Sequence, residues 1–535
     1  MICGYLTVWT FVGIIYNTWV TPVKNTPGVY NTRTSLGPWA DRIGVLAYAL
    51  TPLSVLLSSR ESLLSIITGL PYQSFMFLHR WLGYVIIIQS SLHTIGWCIV
   101  EWRLYQPQPT VWNGVISQLY IIWGVVAMVL LLIMYLLSMP WAIQVTGYEF
   151  FKKSHYVLAM VYIGAVIGHW SRLECFLIPG LVLWFLDRLA RVIRTGFLHF
   201  KRYPNEMVAF KPATATISLF PDQDNGDVVR LDFQHVRGPW KIGQHFYLCF
   251  CESSIWQSHP MTPVSLPVPE DDGRLRHAYV IRVRKGETRR IALLATRKAA
   301  DLPDLGKKSL ESQGARNMTT PVILNGPYGT SVVDDLTPDV NVLCIAGGTG
   351  VTFVLPVLLR LAHEPPFPCR KIDLVWSIRR EQDVRWVAEE LKEVRGSTPS
   401  HRTAVHIYVT RQQGDGIVSS LIPDGEESKS PAFMATVPST PSVAPSNIEL
   451  ETESRLSIHH PAVADTLEKR RPHLQQIVED FIDSVVRGPT IVFASGPVGM
   501  IADLRDAVAS CNSGSRVWRG DSRFDVRLVC DDRLE

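Results

Sequence analysis

The sequence lacks the cysteine and basic patterns that indicate a zinc protein or a nucleic-acid binder. Its nine cysteines form no CxxC pair and no Cys/His spacing typical of zinc, and the closest two, Cys249 and Cys251, alternate along a predicted strand. No run of lysine and arginine is interleaved with aromatic residues, and the net charge is only +4. We therefore expect structural thiols and no nucleic-acid partner.

Long apolar runs are present instead, and they are concentrated before about residue 198. About 20 apolar residues cross the roughly 30 Å hydrocarbon core of a bilayer. The first run has no positively charged start and no small-residue cleavage site, so it is predicted to span the membrane, in a chain that could be N-terminally shortened. Six runs approach the required length, at residues 3–20, 43–58, 77–100, 116–139, 155–170 and 175–195.

Basic residues predict the orientation of this membrane half. Lysine and arginine accumulate in cytosolic loops, so the side that carries more of them is expected to face the cytosol. Five flank one set of span ends, namely Lys24, Arg33, Arg42, Arg103 and Arg172. Nine flank the other set, namely Arg60, Arg80, Lys152, Lys153, Arg188, Arg191, Arg194, Lys201 and Arg202. We therefore predict an integral membrane protein with a cytosolic C-terminal half.

Two of the apolar runs carry a histidine at each end, from His79 to His93 and from His155 to His169, with the same interval of fourteen residues. Fourteen residues are about four helical turns, so the two histidines of a run share one helix face, about 21 Å apart. The third and fifth spans run in the same direction, which places His79 level with His155 and His93 level with His169. Facing imidazoles at two levels predict two hexacoordinate b-type haems.

The alternative is that these are buried histidines that donate to backbone carbonyl groups or line a polar cavity. Spacing alone does not decide, because His245 and His259 are also fourteen residues apart and lie in the soluble half. Polar side chains at membrane depth are costly and usually functional, which favours haem ligation.

The soluble half begins with short predicted strands broken by Gly and Pro turns. In "SHPMTPVSLP", the side chains of His259, Thr262 and Ser265 lie beside prolines in a loop that could hold a flat aromatic ring system. In "IRVRKGETRRI", residues 285–288 end a strand and could open a helix, where free N–H groups bind phosphate. Either segment could also be an ordinary loop.

A stronger signal is the segment "NVLCIAGGTGVTFVLPVLLRL", which reads as a buried strand, a glycine turn and a helix. Glycines let the backbone approach a ligand closely, and the helix N-terminus favours phosphate. A later strand, "TIVFAS", again ends in a Gly-Pro turn, and "NGPYG" at residues 325–329 could line the same cleft. The glycine turn is not the full GxGxxG pattern and is weak evidence by itself.

Two arginines, Arg379 and Arg380, end the strand that follows the glycine-turn helix. Basic residues at this position are what the 2′-phosphate of NADPH requires, so they predict NADPH rather than NADH. Solvated surface arginines are the alternative.

Taken together, these motifs resemble the fungal ferric reductase family, which belongs to a superfamily shared with the NADPH oxidases. The resemblance rests on six spans with two histidine pairs, then HPxTxxS at 259–265, GPYG at 326–329, GGTGVTF at 347–353 and the Gly-Pro turn at 496–497. It covers nearly the whole chain in order. It implies a six-helix transmembrane haem-binding bundle over residues 1–200, followed by a ferredoxin-reductase-like module. That module comprises a β-barrel FAD domain over 205–333 and an α/β doubly wound NADPH domain over 338–535.

The family's functional residues map onto this sequence position by position. The resemblance implies that His79 and His155 bind the inner haem and that His93 and His169 bind the outer one. It implies flavin contacts from His259, Pro260, Thr262 and Ser265, and FAD phosphate contacts from Lys285, Gly286 and Thr288. Further nucleotide contacts are predicted for Gly326, Gly329, Gly347, Gly348, Thr349, Gly350, Thr352, Arg379, Arg380, Gly496 and Pro497. The predicted catalytic residues are His259, Thr262, Ser265 and Ser495.

Two departures from the family pattern concern the active site. The family usually has a cysteine where this chain has Ser495, and relatives commonly end in an aromatic residue that covers the flavin, whereas this chain ends in "VCDDRLE". Between about residues 424 and 470 the sequence is rich in serine and proline, which predicts a disordered insertion.

The predicted activity is that of a metalloreductase, which passes electrons from cytosolic NADPH through FAD and two haems to ferric or cupric chelates across the membrane. The plasma membrane is the favoured location, with the vacuolar membrane as the alternative. An NADPH oxidase that releases superoxide is the second hypothesis, because the oxidases share these parts. A third is a non-catalytic haem-binding membrane protein, which the two departures leave open.

Overall fold

The computed structural model describes residues 4, 7–8, 18–24, 26–202, 208–222, 224–254, 257–284, 286–300, 318–365, 367, 369–396, 402–411, 455–460 and 471–531. The chain forms two compact units, which divide between Arg194 and Thr195.

The first unit is helical apart from a hairpin of β1 (Thr18–Pro22) and β2 (Tyr30–Thr34). A short π-helical turn, Val100–Leu104, extends its third helix. The helices are α1 (Leu36–Leu57), α2 (Leu63–Thr68), α3 (Tyr72–Ile99), α4 (Thr110–Ile116), α5 (Leu119–Leu137), α6 (Pro140–Thr146), α7 (Tyr148–His169) and α8 (Glu174–His199).

Four helices among the described residues are long and apolar enough to cross a membrane, rather than the six that the sequence predicted. They are Leu36–Ser58, Tyr72–Leu104, Leu119–Leu137 and Tyr148–His169, which contain most of the four predicted runs from 43 to 170. The first predicted run, 3–20, lies largely outside the described residues. The last falls in α8, which is long enough but carries Asp187, Arg188 and Arg191 in its middle.

Close helix packing holds the first unit together, with α1 along α3 and α5 along α7. Gly96 shows how close α1 and α3 approach, since a Cβ added there would lie 3.0 Å from the Cβ of Ala40. Small residues allow this approach between membrane helices, where burial from water does not drive association. Buried side chains of α1, α3, α5 and α7, including Tyr48, Ile86, Leu131 and Ile163, form one core.

The second unit contains a six-stranded antiparallel sheet in the spatial order β8-β7-β10-β5-β6-β9. The Val264 amide, just past β8, donates to the Ala278 carbonyl of β9 at 2.8 Å, which brings the two sheet edges together into a barrel. A short pair, β3 (Phe200–Arg202) and β4 (Val208–Phe210), precedes it. The barrel strands are β5 (Ala213–Phe220), β6 (Val228–His235), β7 (His245–Phe250), β8 (His259–Met261), β9 (Leu275–Arg282) and β10 (Thr319–Tyr328), with helix α9 (Glu287–Ala300) between the last two.

The rest of the second unit contains a parallel sheet in the order β14-β13-β12-β11-β15-β16. All six residues of β15 are buried, as expected for a strand that is covered on both faces. The strands are β11 (Asn341–Gly347), β12 (Lys371–Ile378), β13 (Arg402–Val409), β14 (Arg455–His459), β15 (Thr490–Ser495) and β16 (Val526–Cys530). The helices are α10 (Val351–Ala362), α11 (Ala388–Gly396), α12 (Leu474–Ser484), α13 (Val498–Cys511) and α14 (Gly514–Trp518).

The order in which the strands are added switches sides between β11 and β15, because β12, β13 and β14 lie on one side of β11 and β15 and β16 lie on the other. Such a switch leaves a crevice at the carboxyl ends of the two strands, which is where open α/β sheets bind ligands. Helix α10 covers one face of the sheet, while α12 and α13 cover the other.

The predicted disordered insertion, residues 424–470, lies outside the described residues except for residues 455–460. Within that stretch β14 pairs in parallel with β13. The disorder of the insertion stays a prediction.

Candidate functional site

The four membrane histidines meet in the two predicted pairs. The ring centres of His79 and His155 lie 6.2 Å apart with the rings at 77°, and those of His93 and His169 lie 6.1 Å apart at 78°. A metal-bound imidazole nitrogen lies about 2 Å from the metal, so two axial imidazoles on one iron would have ring centres roughly 6 Å apart. The spacing of both pairs therefore fits a bis-histidine haem.

Hydrogen bonds fix which nitrogen each ring can offer to iron. The Nδ1 atoms of His79, His93 and His169 face the carbonyl oxygens of Ser54, Ala40 and Tyr120 at 2.9, 2.8 and 2.8 Å. A carbonyl oxygen can only accept, so each of these Nδ1 atoms donates and Nε2 keeps its lone pair.

The fourth ring, His155, also has a polar partner at Nδ1, but the contact is longer and is made by a hydroxyl group. Nδ1 of His155 lies 3.4 Å from the Ser138 hydroxyl. Among the described residues, no hydrogen bond reaches Nε2 of any of the four histidines. The alternative of histidines that serve only to donate to carbonyl groups accounts for Nδ1 but leaves the facing Nε2 atoms unexplained, so the donor set fits haem.

The predicted flavin loop lies at the edge of the barrel. His259 and Pro260 are in β8, half-buried and exposed respectively, and Thr262 is buried. Ser265 donates from its hydroxyl to the Arg276 carbonyl at 2.7 Å and accepts from the Ala278 amide at 3.1 Å. These contacts attach the loop to β9 and leave the predicted flavin contact of Ser265 untested.

The predicted phosphate turn opens a helix, as the sequence indicated. Helix α9 begins at Glu287, directly after Gly286, whose φ is +86°. The Thr288 hydroxyl accepts from the Arg284 amide at 2.9 Å, while Lys285 lies outside the described residues. A shallow cavity of about 480 Å³ adjoins this helix, lined in part by Arg284 and Arg289. Asp222 and Asp227 also line this cavity, so its two arginines are offset by two carboxylates, and the predicted phosphate contact rests on the helix N-terminus at residues 286–288.

The segment with Gly326 and Gly329 packs against the barrel strand β7. A Cβ on Gly326 would lie 3.1 Å from Cδ1 of Phe246, and one on Gly329 would lie 3.4 Å from Nδ1 of His245. Between these glycines, the Tyr328 ring lies edge-on to Tyr247 with ring centres 5.5 Å apart. The contacts of both glycines thus belong to the barrel and leave their predicted cofactor contact untested.

The two glycine turns of the parallel sheet lie against each other at the switch between β11 and β15. A Cβ on Gly350 would lie 2.1 Å from the Ser495 carbonyl oxygen, and one on Gly347 would lie 2.7 Å from Cδ of Pro497. A Cβ on Gly496 would in turn lie 3.2 Å from the Gly347 amide. The absence of side chains therefore allows the two turns to touch and form the floor of the crevice.

The remaining residues of these turns are held by local hydrogen bonds. Gly348 has a φ of +56°, and its carbonyl accepts from Trp376 Nε1 at 2.9 Å. The Thr352 hydroxyl donates to the Thr349 carbonyl at 3.1 Å, and Ser495 is 2% exposed at the end of β15. The helix α10 that follows the first turn directs its N-terminus to the crevice, where a pyrophosphate is favoured.

The two predicted phosphate arginines have different surroundings. Arg380 pairs with Asp222 of the barrel and with Asp383, both at 3.4 Å. Arg379 makes no salt bridge within 4 Å to a described residue, and burial together with the neighbouring Arg411 lowers its pKa. Arg380 is therefore already neutralised, while Arg379 is not.

Sequence reasoning missed Arg411 as a partner of Arg379. The Arg411 amide donates to the Arg379 carbonyl at 3.1 Å, at the point where β12 and β13 end side by side. Two like charges at one sheet edge, without a carboxylate paired to either among the described residues, suit a dianionic ligand. The signal in the sequence was weak, because Arg411 stands alone after β13.

A buried ion pair joins the barrel to the parallel-sheet region. Arg230 of β6 donates to both carboxylate oxygens of Glu390 at 2.8 and 2.7 Å, and their side chains are 7% and 2% exposed. Burial opposes the charge on Arg230, but hydrogen bonds to Glu390 and Asp232 outweigh it and raise its pKa. This pair was also missed, since its partners are far apart in the sequence.

Three family models match the chain in order. They are the ferric reductase like transmembrane component over residues 43–166, the FAD-binding domain over 210–332 and the ferric reductase NAD binding domain over 340–509.

Curated relatives carry related descriptions. Ferric reductase transmembrane component 4 of Saccharomyces cerevisiae is 25% identical over 88% of this chain and 60% of its own length. The probable cell surface ferric reductase kap2 of Aspergillus oryzae is 26% identical over 72% of this chain and 50% of its own length. The ferric/cupric reductase transmembrane component 2 of Saccharomyces cerevisiae is 28% identical over 58% and 38%. The chain thus spans 60% or less of the length of each of these relatives.

Solved structures share only a distant likeness with the chain. A ferredoxin-NADP+ reductase from Plasmodium falciparum covers 62% of this chain and 99% of its own, with 12% identity and a TM-score of 0.33.

Proposed function

The chain belongs to the fungal ferric reductase family, and from this premise we propose that it is an NADPH-dependent ferric-chelate reductase of a membrane. Electrons would pass from cytosolic NADPH through FAD and two b-type haems to ferric or cupric chelates on the opposite side. The observation that carries the proposal is the two level pairs of facing imidazoles, whose Nδ1 atoms contact neighbouring helices and whose Nε2 atoms have no hydrogen bond to a described residue.

Each part of the chain has a defined task in this proposal. NADPH, FAD and haem supply the hydride and electron chemistry when bound. His79 and His155 would hold the inner haem through Nε2, and His93 and His169 the outer one. Two histidines for each haem would leave no site on the iron for a substrate, and the haems would then supply electron transfer.

The soluble residues would orient the nucleotides. The touching glycine turns let the pyrophosphate of NADPH approach the backbone at the N-terminus of α10, and Arg379 with Arg411 would hold the 2′-phosphate. Residues 286–288 with Arg284 and Arg289 would hold the FAD phosphates at the start of α9. His259 and Thr262 would flank the flavin from the barrel edge, and Ser495 would lie beside the nicotinamide.

Haem content tests the membrane half of the proposal. The unaltered protein should contain two haems per chain by pyridine haemochrome assay, with a low-spin spectrum. His155→Ala should remove the inner haem and stop reduction of the other by NADPH. A control is His363→Ala, because His363 is a half-exposed histidine of the soluble unit. One haem per chain in the unaltered protein, or unchanged haem in His155→Ala, contradicts the proposal.

Sidedness and acceptor are tested in intact cells. A membrane-impermeant ferric chelate should be reduced by cells that express the protein, and His93→Ala should abolish the reduction while His363→Ala preserves it. Reduction that requires permeabilised cells would show that the proposed orientation is wrong. A signal abolished by superoxide dismutase would instead favour the NADPH oxidase.

A further inference from the structure

The outer histidines are each held by a carbonyl group of a neighbouring helix. His93 of α3 donates from Nδ1 to the Ala40 carbonyl of α1, and His169 of α7 donates to the Tyr120 carbonyl of α5, both at 2.8 Å. In a helix the carbonyl of one residue accepts from the amide four positions later. Each of these carbonyls therefore receives two donors, which its two lone pairs allow.

The residue four positions later is glycine in both helices. A Cβ on Gly44 would lie 2.6 Å from Nδ1 of His93, and one on Gly124 would lie 2.6 Å from Nδ1 of His169. Either distance is far below ordinary van der Waals contact, so no other residue fits unless the imidazole moves. Both neighbouring helices thus have a gap at the position where the ring meets the carbonyl.

At the inner level, fourteen residues later in each neighbouring helix, α1 repeats this arrangement and α5 has a serine hydroxyl between the carbonyl and the ring. In α1 the Ser54 carbonyl accepts from Nδ1 of His79 at 2.9 Å and from the Ser58 amide at 3.3 Å. In α5 the Ser138 hydroxyl donates to the Met134 carbonyl at 2.6 Å and lies 3.4 Å from Nδ1 of His155.

In α1 the interval of the ligands is repeated in the carbonyl groups that hold them, whereas in α5 the carbonyl fourteen residues after Tyr120 contacts the inner ligand only through the Ser138 hydroxyl. Carbonyl positions are 40 and 54 in α1 and 120 and 134 in α5, and the small residues four positions later are Gly44, Ser58, Gly124 and Ser138. Glycine stands at the outer level and serine at the inner level in both helices.

We propose that Gly44 and Gly124 are positioning residues for the outer haem, and that Ser138 has this role for one ligand of the inner haem. The missing side chains at the outer level let each imidazole reach its carbonyl, which fixes the ring and directs Nε2 to the iron. Outer partners of this kind set the tautomer and the basicity of a metal-binding histidine. The inference rests on the proposed function, because it requires that the histidines bind haem.

Alanine substitutions test the proposal with matched glycine controls. Gly44→Ala and Gly124→Ala each add a methyl group against an imidazole, whereas Gly83→Ala in α3 and Gly164→Ala in α7 add one with nothing within 4 Å. The full-length proteins are purified in detergent. Haem per chain, redox titration and the low-spin EPR spectrum are measured, and the outer signal is assigned as the one that His169→Ala lacks.

The glycine variants should alter the outer haem and leave the inner haem unchanged. Gly44→Ala and Gly124→Ala should lose the outer haem, so that the ratio falls from two per chain towards one, or should shift the potential and EPR signal of that haem alone. Both control variants should keep two haems with unaltered signals. Outer signals in Gly44→Ala and Gly124→Ala that match those of the controls overturn the proposal.

A second variant keeps the test decisive if the glycine variants fail to accumulate. Ser138→Ala removes one hydroxyl and adds no atoms, and it should shift the potential of the inner haem while the outer one is unchanged. An unchanged inner potential in this variant overturns the proposal as well. Fewer than two haems in the unaltered protein would instead contradict the proposed function and leave the cause of failure clear.

Discussion

Replacement of Arg379 or Arg411 with alanine should reduce the preference for NADPH over NADH, whereas replacement of Arg380 should not. Arg379 and Arg411 lie side by side where β12 and β13 end, and neither has a salt bridge to a described residue. Arg380 is paired with Asp222 and Asp383. The sequence predicted that both Arg379 and Arg380 contact the 2′-phosphate, and the structure gives the two side chains different ion-pair partners.

The expected magnitude follows from the charge of the ligand. A hydrogen bond to a charged group contributes about 1.5–3 kcal/mol, and each 1.4 kcal/mol is about a factor of ten in affinity. Loss of either side chain should therefore lower kcat/KM for NADPH by roughly 10–100-fold. The value for NADH, which has no 2′-phosphate, should stay within about twofold of the unaltered protein.

The assay uses a soluble dye that accepts electrons from the flavin, so the haems are bypassed. NADPH and NADH oxidation are compared in membranes with equal FAD content for the unaltered protein and the three single variants. Arg380→Ala is the matched control, because it removes the same charge from the neighbouring residue. Equal use of both nucleotides by the unaltered protein, or a loss of preference in Arg380→Ala alone, would refute the reasoning.

Two further predictions concern stability. Burial, and to a smaller extent the neighbouring His235, lower the pKa of His277 to about 3. Between about pH 3 and about pH 6.5 the unfolded chain therefore binds more protons than the folded protein. The free energy of unfolding should therefore fall as the pH drops through this window, and His277 should account for about 2 kcal/mol of the loss at pH 5. His277→Phe should weaken this pH dependence, which is measured by thermal unfolding of the full-length protein. Glu390→Gln leaves the Arg230 charge partly unpaired and should cost about 3 kcal/mol, against about 1 kcal/mol or less for the exposed Glu389→Gln. Equal costs in urea unfolding would contradict the importance of the buried pair.

Features that repeat along one helix or follow one strand could be predicted from the sequence. The histidine pairs were found because fourteen residues return to the same helix face, and the glycine turns because strand, turn and helix are contiguous. Both predictions use only local geometry. The resulting positions agree with the facing rings and the touching turns of the structure.

Features that depend on a partner from elsewhere in the chain could not be predicted. Arg380 was predicted as a phosphate ligand, but the sequence did not indicate that Asp222 of the barrel pairs with it. The sequence did not indicate a role for Gly44 and Gly124, because their contacts with His93 and His169 are made between different helices. The fourteen-residue repeat was present in α1 and α5, but glycine and serine carry no recognisable ligand chemistry.

The last predicted span, in α8, is not confirmed by the apolar character of its helix. Helix α8 has the required length, but its middle carries Asp187, which pairs with Arg191 and accepts from the Glu61 amide at 2.9 Å. Arg194, one turn further on, pairs with Glu61 at 3.0 Å. These charges explain why α8 is not among the helices that are apolar enough to cross a membrane, and the sixth span stays a prediction.

In the proposed nucleotide site, serine rather than cysteine at position 495 should affect the chemistry more than the architecture. The contact that brings the two glycine turns together is made by the backbone, since it is the Ser495 carbonyl that a Cβ on Gly350 would meet at 2.1 Å. Cysteine and serine have the same backbone and similar volume, so the turns can touch with either residue at this buried position. If residue 495 lies beside the nicotinamide as proposed, a rate difference between this chain and relatives with cysteine would therefore arise from the side chain at that position. By the same argument, substitutions at Gly350 would disturb the crevice whichever residue stands at 495.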